Sequence, residues 1–154
     1  MNQKSRWQLL GNLEVMGDKL GAVFIQLPPN MRCDLDRLQR FVDMLPDGFP
    51  AAFEFRHDSW FTEDVYNVLT SHDIALCHAD GENNEMPFVS TTQWGYLRLR
   101  KPSYEQSELD GRLEKTASWR DAFIFSKHED EAARPRMANH YLHMVGEGLR
   151  AALG

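Results

Sequence analysis

The chain has 154 residues, 42% of them hydrophobic and 26% charged, with a formal net charge of −6. That is the composition of one soluble globular domain and excludes bulk disorder. The acidic balance argues against general nucleic-acid binding, which draws on a basic face.

Strand-like and helix-like segments then alternate. Leu9, Leu10, Leu13, Met16 and Leu20 recur at helical spacing, and Gly21 ends that helix. The apolar run 22–27 reads as a strand closed by Pro28 and Pro29. From Asp34 a second helix places Leu35, Leu38, Phe41, Val42 and Leu45 on one face, and the turn residues of 46–50 close it. Residues 51–55 form the next strand. Thr62 is placed to cap the helix that follows, with Glu63 and Asp64 in its first turn and a hydrophobic staple from Phe61 to Tyr66. Val65, Val68 and Leu69 give that helix its buried stripe.

Residues 74–79 are a third strand, 81–87 a loop, 88–92 at most a short extra strand, and 95–100 a fourth. Ser107 and Asp110 mark another helix start, with Leu109 and Leu113 facing inward. Residues 122–125 are a fifth strand, and a last helix begins near Pro135. This alternation predicts one α/β domain over 1–154, with parallel strands joined by right-handed crossovers. An open doubly wound sheet and a part of an eight-stranded barrel both fit the pattern. No GxGxxG or Walker loop supports a nucleotide-binding open sheet.

Cys33 and Cys77 are the two cysteines, without a CxxC pair, so a disulfide framework and a zinc cage are not expected. Free thiols suit a reducing cytoplasm, the expected location. No signal peptide and no membrane span are predicted, since no stretch reaches the ~20 apolar residues a spanning helix needs.

Ligands of α/β folds bind at the C-terminal strand ends. The polar residues there are Gln26; Glu54 and Arg56, with His57 and Asp58 beyond; His78 and Asp80; Arg98 and Arg100; and Ser126, Lys127 and His128. Alternate strand residues share a face, so Glu54 with Arg56, His78 with Asp80, and Arg98 with Arg100 form three pairs expected to converge. Arg56, Arg98 and Arg100 are suited to holding a phosphate or carboxylate. Glu54 and Asp80 are candidate acid–base groups, as is His78 nearer neutrality. Gln26, His57 and Trp60 would complete the lining.

The same charges can instead form a structural network, with Glu54 paired to Arg56 or Arg98. Glu54, His57, His78 and Asp80 are acceptable metal-ligand types, but no motif spacing supports a metal, and none is assigned. His140 and His143, at i and i+3, read as surface residues. Trp94 and Trp119 read as packing residues.

The segments "LGAVFIQLPPN", "FEFRHDSWF", "IALCHAD" and "YLRLR" resemble, in that order, the YecE-like family, also known as domain-of-unknown-function family 72. The QLPP stretch and the E-R-H-x-S-W stretch carry the resemblance. It implies a TIM-like (β/α) barrel without an established chemistry and names no cofactor. It also implies that the chain corresponds to the C-terminal five-eighths of such a barrel, with N-terminal strands absent. Two features depart from the family: Arg100-Lys101 stands where a His-Gly is usual, and Ser126-Lys127-His128 replaces an asparagine-containing turn.

An incomplete barrel leaves two strand edges open. Strand 22–27 is therefore expected to pair with a second copy, an N-terminal fragment or a rearranged local segment. The function expected from the residues is binding of, or action on, a small anionic or sugar-like ligand at the strand ends. A non-catalytic binding or assembly module is the alternative, and a metal-dependent hydrolase or isomerase on Glu54, His78 and Asp80 a weaker one.

Overall fold

Pro28 and Pro29 end the first strand early, because neither can donate to a ladder. Strand β1 is Val23–Gln26. The computed structural model describes residues 19–80, 86–101 and 104–126, together with Gly11 and Val15. Most of the helix expected over 9–20, the one expected from Pro135, and Lys127, His128, His140 and His143 lie outside the described residues.

The other elements follow in the predicted order. Helix α1 is Leu35–Val42, its first turn capped by the Asp34 carboxylate accepting from Arg37 N at 3.0 Å. Strand β2 is Ala51–Glu54, and a short 3₁₀ turn, Asp58–Trp60, leads into helix α2, Glu63–Ser71. Thr62 caps α2 as expected, its hydroxyl accepting from Val65 N. Phe61 and Tyr66, the two ends of the expected staple, both pack into the core that α2 helps to form. Strands β3 (Ala75–Ala79) and β4 (Trp94–Leu99), helix α3 (Gln106–Thr116) and strand β5 (Asp121–Ser126) complete the described chain.

Two local expectations are corrected. Helix α3 starts at Gln106 rather than at Ser107, because Glu105 N–H finds the Glu108 carboxylate at 3.0 Å and closes the helix one residue earlier. The segment 88–92 forms no strand. Instead the buried Thr91 hydroxyl accepts from Leu76 N at 2.9 Å and donates to Ile74 O at 2.7 Å. One side chain thus serves a backbone donor in β3 and a backbone acceptor just before it.

The five strands are all parallel and stand in the order β1-β2-β3-β4-β5. A doubly wound sheet reverses its strand order at a switch point. This sheet does not reverse, so it is the arc of a barrel. Its curvature is visible in the rings. Phe24 of β1 stacks on Tyr96 of β4 with centroids 5.2 Å apart, although β2 and β3 lie between them. Three strand spacings in a flat sheet would separate them by ~14 Å.

Side-chain parity divides the sheet into two faces. Phe53, Phe55 and Leu76 pack outward with Leu38 and Val42 of α1 and Val65, Tyr66 and Leu69 of α2. Ala52, Ala75, Cys77, Ala79 and Tyr96 face the concave side with Phe24, Trp94 and Phe123. The small residues of β3 make room there for the large rings of β1, β4 and β5. Phe125 continues the aromatic surface by stacking on Tyr96 at 5.1 Å, yet it stays 51% exposed at the β5 edge.

Candidate functional site

Glu54 ends β2 on the concave side and is 1% exposed. A carboxylate at such depth needs a cationic partner, because desolvation otherwise costs several kcal/mol. Arg98, two strands away on β4, supplies it. Its Nη1 donates to Glu54 Oε2, while the guanidinium lies over the Phe24 ring, 4.7 Å from the centroid. Arg100 approaches from just beyond the end of β4, with Nη1 3.9 Å from Glu54 Oε1. That is too long for a hydrogen bond, and Oε1 has no hydrogen-bond partner among the described residues. Arg98 and Arg100 remain 22% and 30% exposed.

Asp80 sits beside this group and faces the other way. Its Oδ1 accepts from Arg100 N at 2.6 Å. Its Oδ2 accepts from Arg112 Nη2 of α3 at 2.7 Å and from the Tyr104 hydroxyl. Tyr104 Oη in turn accepts from Lys101 N at 2.9 Å, and the Arg112 guanidinium lies 4.8 Å from the Tyr104 ring centre. Burial, reinforced by the hydrogen bond to Asp80, raises the Tyr104 phenol well above its ordinary pKa, so it stays a neutral donor. Asp80 therefore clamps the β4–α3 turn and fixes the backbone from which Arg100 projects.

The other candidates are placed separately. His78 shares a face with Asp80, as expected, but it is the outer face. It is 5% exposed, stacked on Phe88 at 4.0 Å and near Trp119 at 5.8 Å, with Nε2 donating to Val89 O at 3.2 Å. Register explains the correction: Cys77 stands opposite Tyr96 and His78 opposite Leu97, so the β3 residue that joins the Glu54 face is Cys77. Desolvation lowers the His78 pKa to about 4, so it is neutral at pH 7.

Of the two expected partners of Glu54, Arg98 forms the pair, with Arg100 added, and Arg56 is exposed beyond β2. His57 Nδ1 accepts from Ser59 N at 3.2 Å and so caps the 3₁₀ turn. Trp60 is a core residue, parallel to Phe55 at 4.7 Å, with its indole N–H donating to Met31 O at 2.8 Å. Gln26 is exposed at the end of β1, opposite Glu54 in register.

Glu54, His57, His78 and Asp80 do not gather. Among the described residues no three His, Cys, Asp or Glu side chains are close enough to share a metal ion. A groove of about 320 Å³, lined by Leu45, Phe49, His72 and Ile74 among others, lies before β2 and β3 at the opposite end of the strands from the arginines.

Sequence reading passed over Phe24, Tyr96, Tyr104 and Arg112. The first two were reachable: Tyr96 has the parity of Arg98, and Phe24 that of Gln26.

The model of the family described as protein of unknown function DUF72 matches residues 2–153. The chain belongs to the DUF72 family. Solved DUF72 structures show the same fold. The protein TM1631 from Thermotoga maritima is 17% identical, with a TM-score of 0.75 over 94% of this chain and 65% of its own. The protein EF0366 from Enterococcus faecalis is 15% identical, with a TM-score of 0.76 over 95% of this chain and 70% of its own. This DUF72 chain thus spans about 65% of the length of the first of these relatives. A search of curated proteins found no match. No helix among the described residues is long and apolar enough to cross a membrane.

Proposed function

We propose that the C-terminal mouth of this DUF72 half-barrel binds a small anionic ligand through Arg98 and Arg100. The observation that carries this reading is a charge imbalance. Two guanidiniums converge on one buried carboxylate, so one positive charge is left over in a partly desolvated site. Arg98 is held in place by Glu54 and Phe24, and Arg100 has its backbone fixed by Asp80 while its side chain makes no hydrogen bond among the described residues. A fixed guanidinium beside a movable one suits bidentate capture of a carboxylate or phosphate. In this reading Arg56 and Gln26 stand at the rim, and Glu54 is the one acid–base candidate within reach of a bound anion. The free thiols, Cys33 half-buried and Cys77 buried, fit a cytoplasmic setting.

The test is titration calorimetry with inorganic phosphate at low salt. Arg100→Ala is expected to weaken binding by about tenfold or more. Its stability should fall by less than that of Glu54→Gln, because the lost guanidinium is a 3.9 Å neighbour of the Glu54 carboxylate and not its hydrogen-bonded partner. An unchanged affinity, or no binding by the wild-type chain, counts against the reading.

A second reading rests on a different observation. Among the described residues the sheet runs from β1 to β5, and Phe125 is half exposed beside the concave aromatic surface. Such edges recruit another strand, so β1 is proposed to pair with a second copy or a separate β/α fragment. Light scattering should then give a mass above that of the 17.8 kDa monomer, with slow amide exchange over 22–27. A monomer with rapid exchange there would dispose of it.

A further inference from the structure

The uncompensated charge selects an anion; the unbonded atoms beside it select the rest of the ligand. Glu54 Oε1 is fully buried and accepts no hydrogen bond among the described residues. A buried carboxylate oxygen without a donor is an unmet acceptor, and such groups in native proteins call for a specific reason. Arg100 Nη1 lies 3.9 Å from it, beyond hydrogen-bond reach.

Arg100 is built as an arm. Its N–H is anchored by Asp80 Oδ1, and Asp80 is itself held by Tyr104 and Arg112. Beyond that anchor the side chain makes no hydrogen bond among the described residues, and it is 30% exposed. Drawing the guanidinium outward onto an anion would break no hydrogen bond. It would also uncover Glu54 Oε1 directly beneath the anion. The atom that then meets Oε1 must be a donor, because an ionised carboxylate offers only lone pairs.

A second free polar group stands close by. Tyr96 is buried on the concave face, in the row continued from Glu54 through Cys77, and its phenol makes no hydrogen bond among the described residues. Burial raises its pKa, with Cys77 and Glu54 acting in the same direction and Arg98 opposing. The neutral hydroxyl can donate and accept.

We infer that the ligand is an anion carrying its own hydroxyl groups, such as a phosphorylated polyol or a hydroxy acid. Its charged end sits on Arg98 and Arg100, one hydroxyl donates to Glu54 Oε1, and another is within the compass of Tyr96. The inference rests on the anion reading above and adds to it the need for a donor.

Three ligands separate the two ideas by titration calorimetry on the wild-type chain: inorganic phosphate, n-propyl phosphate and glycerol phosphate. The last two share the anion and a three-carbon body and differ in their hydroxyls. Glycerol phosphate is expected to bind about tenfold tighter than propyl phosphate, the worth of one hydrogen bond to a charged group. If both bind alike, the hydroxyl inference fails and the anion reading stands. If none of the three binds, both fail. Because the comparison uses only the unmodified chain, it does not depend on any variant folding.

Discussion

Glu54→Gln is expected to lower stability by about 3 kcal/mol, read as a fall in the urea midpoint with an unchanged slope. The wild-type carboxylate is 1% exposed and holds Arg98 by a direct ion pair, with Arg100 adding attraction at 3.9 Å. The amide keeps the shape and removes the charge, so Arg98 is left in a low-dielectric pocket over Phe24. Breaking a buried pair from one side costs about 3–5 kcal/mol. Arg98 is 22% exposed and retains some water, which places the effect at the lower end. The double variant Glu54→Leu, Arg98→Met separates pairing from packing. It removes both charges and leaves apolar groups against Ala79, Phe24 and Tyr96. It should recover most of the lost stability, since replacing a buried pair as a whole is often neutral. A double variant as unstable as Glu54→Gln would mean that the charges matter for something beyond each other.

The alternation of short apolar strands and amphipathic helices was legible because each period is written locally. Val65 and Leu69 are buried and Val68 packs against the core from α2 as their spacing requires, and Pro28-Pro29 stops β1. That the strands follow one another round a barrel, rather than reversing into an open sheet, is a property of strand order that no single segment carries. The resemblance to the YecE-like family favoured the barrel, and the order β1-β2-β3-β4-β5 bears it out.

The site was half legible for a related reason. Parity within a strand is readable, so His78 and Asp80 were correctly put on one face. Parity between strands depends on register. A one-residue shift turns every side chain to the other face, and this decided that Cys77, not His78, lies beside Glu54. The alternation of Ala75, Cys77 and Ala79 with Leu76 and His78 was the available signal, since the narrow concave side of a barrel takes small residues. Nothing local foretold that Asp80 would be engaged by Tyr104 and Arg112, which lie on the turn and helix after the next strand.

The placement of His78 on the outer face has a measurable consequence in acid. In the folded chain its pKa is lowered to about 4 from 6.5, chiefly by desolvation, with the nearby Lys115 charge acting in the same direction and the Val89 carbonyl opposing it. The neutral ring donates from Nε2 to Val89 O and packs against Phe88 and Trp119, which also stack on each other. Unfolding restores ordinary hydration, so between pH 6.5 and 4 the unfolded state binds the proton more tightly than the folded one. Stability therefore rises with pH across this window. The contribution is complete above about pH 6.5, falls as pH drops, and levels off below about 4, for a total near 3 kcal/mol. Urea titrations at half-unit steps from pH 7.5 to 3.5 measure it directly. His78→Gln keeps an amide donor for Val89 and cannot titrate. It should lose some stability at pH 7 through the broken stack and show a flatter profile between pH 6.5 and 4, leaving only the slope from carboxylates. A wild-type profile as flat as that of the variant would mean that His78 is hydrated or paired in the folded state. A barrel layer that excludes water from a titratable ring thus sets an acid limit on this half-barrel, quite apart from any ligand bound at its mouth.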